Sequence, residues 1–82
     1  MYYIYVLYSE SIDRLYIGQT ENLDKRLSEH REGVSFWTSR AKDWRLIYSE
    51  EYADRSTAMI REKQLKSGGG KRFLRGLLTG GG

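Results

Sequence analysis

The pattern of apolar and polar positions changes period several times along the 82 residues, and each change marks an element. Tyr2 to Tyr8 is an unbroken run of aromatic, β-branched and aliphatic residues, too short for a free-standing helix and typical of a strand covered on both faces. Ser9 to Arg14 is polar and contains Asp13, a turn former, and Leu15 to Gly18 is apolar and β-prone again, which predicts an antiparallel hairpin. Pairing Tyr8 with Leu15 sets Leu7 opposite Tyr16 and Tyr5 opposite Gly18. Tyr5 and Tyr16 then share a face as diagonal neighbours on the order of 7 Å apart at the backbone. Gly18, with no side chain, leaves space over Tyr5 and suits a sharp entry into a helix.

After Gln19 the spacing becomes helical. Thr20 can cap the helix, Glu21 and Asp24 put negative charge in its first turn, and Gly33 stops it, so it runs from about Glu21 to Glu32. At roughly 100° per residue, Leu23, Arg26, Leu27 and His30 fall within an arc of about 100°. Val34 to Lys42 reads as a loop carrying Phe36, Trp37 and Arg40, its aromatics either capping the core or offering a stacking platform for unpaired bases. Asp43 to Glu51 predicts a third strand, with Trp44, Leu46 and Tyr48 alternating against Arg45, Ile47 and Ser49.

A second helix begins at a cap on Asp54 or Ser56 and ends near Ser67, where Gly68 stops it. Its apolar stripe is Ala58, Leu65 and the adjacent Met59, and Glu62 lies inside it at i, i+4, i+7 spacing. Ser67 to Lys71 lacks the spacing of a phosphate-binding loop and comes after a helix, not a strand, so it is expected to be a flexible link. Phe73, Leu74, Leu77 and Leu78 suit a short amphipathic helix, and residues 79–82 a flexible glycine-rich tail. The expected fold is a compact α/β (α+β) domain over residues 1–78, a small, mainly antiparallel three-stranded sheet flanked by three helices in the order ββαβαα.

Composition narrows the chemistry. With no cysteine, disulfides and thiolate metal sites are excluded, and a single histidine argues against a zinc cluster. The N-terminus shows neither a charged n-region nor a long apolar run, so neither a signal peptide nor a membrane span is expected and the expected location is cytoplasmic. Charge is split: residues 1–54 hold seven Lys/Arg against ten Asp/Glu, net −3, and residues 55–82 hold seven against one, net +6. Lys63, Lys66, Lys71 and Arg72 in that basic end, with Arg40, are candidates for tracking a polyanion, the alternative being a solvated helix face.

Two polar residues, Arg26 and His30, thus share a buried stripe one turn apart, facing the strand that delivers Tyr16. Taken singly, each has a structural reading: Arg26 reaching past the core to water, His30 a satisfied core histidine, Tyr5 and Tyr16 core tyrosines with bonded hydroxyls. Glu62 must be paired with a cation, protonated or metal-bound, because an isolated buried charge costs several kcal/mol. Together, Tyr16-Ile17-Gly18, Arg26 eight residues after Gly18 and His30 four further on resemble the GIY-YIG nuclease family, and Tyr3-Ile4-Tyr5-Val6-Leu7 is similar to its first motif. Tyr3 stands where that motif has glycine, and Trp37-Thr38 where such proteins often have tyrosine-threonine. The likeness runs from Tyr3 to about Phe73 and is closest to the small stand-alone members.

The resemblance implies metal-dependent hydrolysis of nucleic-acid phosphodiesters, DNA foremost, with a single Mg²⁺ or Mn²⁺ on Glu62. It implies that Arg26 stabilises charge in transit, that Tyr5 or Tyr16 helps deprotonate the attacking water, and that His30 accepts or relays the proton. A non-catalytic nucleic-acid-binding module on the same fold is the alternative.

Overall fold

The computed structural model describes residues 1–31 and 41–79, apart from the side chains of His30 and Arg31. The chain runs β1 (Tyr2–Ser9), β2 (Arg14–Thr20), α1 (Leu23–Arg31), β3 (Arg45–Tyr52), α2 (Arg55–Lys66) and α3 (Gly68–Leu78). The sheet has the order β2-β1-β3 with both pairings antiparallel, the α+β arrangement expected from the sequence. Gly33, Phe36, Trp37 and Arg40 lie outside the described residues.

β1 is the middle strand, and Ile4, Tyr5, Val6 and Leu7 are each at most 2% exposed, as a run without polar alternation requires. Its odd and even positions feed two cores. Ile4 and Val6 join Ile17 of β2 with Ala58, Leu65 and Leu74 of the last two helices. Tyr5 and Leu7 join Ala41 and Trp44, with Tyr16, Leu23 and Leu27 packed around them. One face of the sheet is therefore covered by α2 and α3 and the other by α1. The hairpin register is the expected one, Tyr8 to Leu15, Leu7 to Tyr16 and Tyr5 to Gly18. Its turn places Asp13 at φ 51°, a left-handed conformation that aspartate tolerates better than most residues. The Asp13 carboxylate accepts from Tyr8 Oη at 2.8 Å and from Arg75 Nη1 at 2.6 Å, tying α3 to the hairpin.

The structure corrects the expected boundaries in three places. α1 starts at Leu23 and is capped by Asn22, whose Oδ1 accepts from Lys25 N at 3.1 Å; Thr20 ends β2 and its hydroxyl accepts from Asn22 N. β3 starts at Arg45, and a bulge between Val6 and Leu7 sets Tyr48 opposite Val6 but Leu46 opposite Leu7. The simple alternation fails there, so Ile47 packs beside Tyr48 on the α2 side while Leu46 is 41% exposed. Asp54 does cap α2, its side chain accepting from Thr57 N at 2.7 Å.

The third correction concerns the glycines. No flexible link separates α2 from α3: Ser67 closes the one and caps the other, its Oγ accepting from Gly70 N at 3.3 Å, and the three glycines form the first turn of α3. Gly70 lies so close to the Gln64 carbonyl and the Leu65 backbone that a Cβ would clash with main-chain atoms, whereas one at Gly68 or Gly69 would meet nothing within 4 Å. Packing at one position thus outweighs the poor helix propensity of all three. Gly70→Ala is expected to lower unfolding free energy by about 1–3 kcal/mol, and Gly68→Ala or Gly69→Ala to raise it by about 0.4–1 kcal/mol, measured by denaturant titration.

Candidate active site at the edge of the sheet

On the α1 face, Tyr5 and Tyr16 have ring centroids 6.1 Å apart, tilted by 31°. Gly18 makes this possible: a Cβ there would stand 2.5 Å from Tyr5 Oη and 2.6 Å from Cζ, so glycine leaves the seat the Tyr5 hydroxyl occupies. Leu23 and Leu27 pack α1 onto this cluster, and the turn between them carries Arg26, whose Nε donates to Tyr5 Oη at 3.2 Å. Arg26 Nη1 also lies 3.7 Å from Glu29 Oε2, and with its side chain 33% exposed the guanidinium retains access to solvent.

Burial and the hydroxyls set the electrostatics. Tyr5, 1% exposed, has its pKa pushed up to about 12, chiefly by burial and further by Tyr16, against the hydrogen bond from Arg26, which lowers it. The hydrogen bond to Tyr5 in turn raises the pKa of Arg26, keeping it cationic. Tyr16 is the more accessible of the two tyrosines and lines a cavity of about 440 Å³ with Leu15, Ile17, Lys66 and Lys71. Leu15 and Ile17 point to the α2 side and Tyr16 to the α1 side. The cavity therefore lies at the outer edge of β2, with most of its lining on the α2 side.

The other expected site residues are more dispersed. His30 follows Arg26 by one turn on α1, its side chain outside the described atoms, and Arg40 lies outside altogether. Glu62 is on α2, across the sheet from Tyr5. Ala58 and Leu65 are buried as expected, but Met59 is 45% exposed and the Glu62 side chain 23% exposed, so Glu62 stands at the margin of the stripe and not inside it. Its Oε2 pairs with Lys66 Nζ at 2.8 Å, the cation partner that the sequence left as one alternative. Lys63, Lys66, Lys71 and Arg72 are exposed.

Among the described residues no three carboxylate or imidazole groups converge as a cation cage. Glu62 nevertheless fits a hard divalent cation of the Mg²⁺ type, which keeps several waters and takes one or two carboxylates together with substrate phosphate. Its carboxylate is solvent-accessible on one side and balanced by a displaceable ammonium on the other.

Two polar groupings escaped the sequence reading. Glu50, with its side chain 18% exposed, accepts from Arg61 Nε at 2.9 Å and Nη2 at 3.1 Å and from the Tyr48 and Tyr52 hydroxyls. Burial raises its pKa, but Arg61 and the two tyrosines outweigh that, for a net lowering. Glu50 thereby clamps α2 to β3 at the residue preceding Glu62. The period-2 alignment of Tyr48, Glu50 and Tyr52 was the available signal.

Asp43 accepts from the fully buried Ser9 Oγ at 2.5 Å and from Ser11 N and Oγ, both at 2.9 Å, which pulls its pKa down to about 2, the Ser9 bond being the largest cause. A depressed folded-state pKa stabilises above the unfolded value and is lost as pH falls through the folded one. Stability is therefore expected to fall between the ordinary carboxylate range near 3.8 and about 2, and Asp43→Asn to be less stable at neutral pH with a shallower acid limb in pH-dependent denaturation.

Tyrosines, an arginine and a glycine so arranged on a hairpin and its following helix define a GIY-YIG-type site. The chain matches the GIY-YIG catalytic domain over residues 1–73 and belongs to that family. Its relatives include a UPF0213 protein of Natronomonas pharaonis, 36% identical over 67 residues, covering 80% of this chain and 78% of the relative. A UPF0213 protein of Lactiplantibacillus plantarum is 38% identical over 68 residues, covering 79% and 66%. One from Staphylococcus haemolyticus is 30% identical over 67 residues, covering 80% of each. No solved structure gives a significant match. Among the described residues, no helix is long and apolar enough to cross a membrane.

Proposed function

We propose that the protein is a divalent-metal-dependent endonuclease that hydrolyses nucleic-acid phosphodiesters, with DNA as its first candidate substrate. The observation that carries the reading is the bond from Arg26 Nε to Tyr5 Oη beside Tyr16, a tyrosine that itself lines a cavity with Lys66 and Lys71. A guanidinium with solvent access and a raised pKa suits phosphate oxygens through its planar fork and stabilises the extra charge of the transition state.

Tyr5 is a poor proton acceptor, since burial holds its pKa near 12. Its part is to orient Arg26, and the accessible Tyr16 takes the role of helping to deprotonate the attacking water. His30, one turn along α1, accepts or relays that proton. A single Mg²⁺ or Mn²⁺ on Glu62 would neutralise the phosphate and the departing oxygen. Exposed Lys63, Lys66, Lys71 and Arg72, with Arg40, supply sequence-independent contacts to the backbone of the substrate. The cytoplasm is the compartment consistent with this role.

One observation favours the second reading, a nucleic-acid-binding module without cleavage: Glu62 already has a counter-cation in Lys66. Incubating the protein with end-labelled single- and double-stranded DNA, with and without Mn²⁺, separates the two. Mn²⁺-dependent shortening of either substrate supports cleavage, and retention on a gel without shortening supports binding alone.

A further inference from the structure

The Glu62–Lys66 pair and the cavity at the β2 edge share one residue. Lys66 Nζ is 2.8 Å from Glu62 Oε2, and the Lys66 side chain is also part of the cavity wall formed with Leu15, Tyr16, Ile17 and Lys71. At 52% exposed, the side chain has the freedom to change partners, and an exposed i, i+4 pair favours its closed form only about twofold. Lys71 makes no ion pair with a described residue. The cavity is therefore lined by one tyrosine, two aliphatic residues and two lysines, the ammonium group of one of them paired with a carboxylate. About 440 Å³ is ample for a phosphodiester with part of its sugar.

We propose that this cavity seats a phosphodiester of the substrate strand and that Lys66 exchanges Glu62 for that phosphate, so that substrate binding releases the carboxylate for the metal. Charge drives the exchange. Without substrate, the ammonium neutralises Glu62 and competes with a cation for it. With a phosphate between Lys66 and Lys71, the ammonium has a second anion, Glu62 is freed, and a divalent ion finds a carboxylate and a phosphate together. By linkage, the metal must strengthen substrate binding by the same factor as the substrate strengthens metal binding. The device biases metal loading, and with it hydrolysis, toward the substrate complex. It rests on Glu62 being the metal ligand of the proposed nuclease.

The test is Mn²⁺ titration by calorimetry, alone and with a short, cleavage-resistant phosphorothioate oligonucleotide, on the wild type, Lys66→Gln, Lys66→Arg and Lys71→Gln. Lys66→Gln is expected to bind Mn²⁺ alone at least about twofold more tightly than the wild type, the factor that removing a competing exposed i, i+4 pair is worth. The enhancement by oligonucleotide should shrink by a similar factor. Lys66→Arg should keep the wild-type pattern, and Lys71→Gln should weaken oligonucleotide binding with Mn²⁺ affinity alone unchanged. If the wild type binds Mn²⁺ more tightly with oligonucleotide and Lys66→Gln behaves identically, the exchange is wrong and the nuclease reading stands. A wild type that binds oligonucleotide but no Mn²⁺ overturns both.

Discussion

Arg26→Ala is expected to cut turnover by on the order of a hundredfold or more while leaving the fold nearly intact, the usual scale for losing a positioned donor to a charged transition state. The geometry separates the two effects. Arg26 is a third exposed and its packing neighbours on α1, Leu23 and Leu27, are untouched, so the structural loss is small, the hydrogen bond to Tyr5 Oη and the exposed pair with Glu29, about 1–2 kcal/mol together. Arg26→Lys restores the charge but not the fork, and should recover only part of the rate. Thermal melting alongside single-turnover cleavage reads both. A steep fall in melting temperature with full activity in the folded fraction would make Arg26 a structural residue.

Glu62→Gln is expected to abolish cleavage and stabilisation by Mn²⁺ while oligonucleotide binding persists. Its effect on stability without metal should stay within about 0.5 kcal/mol, because what is lost is a partly exposed helical pair with Lys66 and not a buried one. The sequence alone suggested a harsher choice, since a carboxylate inside an apolar stripe has to be rescued by something. Melting curves with and without Mn²⁺, run beside a gel cleavage assay, distinguish these cases. A Glu62→Gln protein that still cuts removes Glu62 from the chemistry, and one that is markedly destabilised makes it a structural ion pair.

The hairpin was legible because its register is set by two local facts, the apolar runs and the mainly polar stretch of six residues between them; once Tyr8 faces Leu15, Tyr5 must face Gly18. The Arg26 stripe was legible for the same reason, as Leu23, Arg26 and Leu27 share a face in any helix. Non-local packing was not. The wheel that put Glu62 with Ala58 and Leu65 could not say that α2 lies across the sheet from α1, which sets Glu62 on the other side of the sheet from Tyr5 and Tyr16. Helix propensity argued against three glycines in a first turn; the contact of Gly70 with the Leu65 backbone explains that one, and nothing in the structure explains Gly68 and Gly69. The bulge opposite Val6 and Leu7 upset the alternation of β3, and the four-residue grouping around Glu50 depends on α2 docking there.

The central claim, that the edge of β2 is where a phosphodiester is cut, is tested most directly by the single-turnover rate of Tyr16→Phe against the wild type in saturating Mn²⁺. This substitution removes one oxygen from a half-buried ring and keeps its packing beside Tyr5. Metal-dependent cleavage is expected of the wild type, and a rate lower by about a hundredfold or more of Tyr16→Phe, with oligonucleotide affinity and melting temperature preserved. Cleavage by Tyr16→Phe at the wild-type rate would contradict that claim.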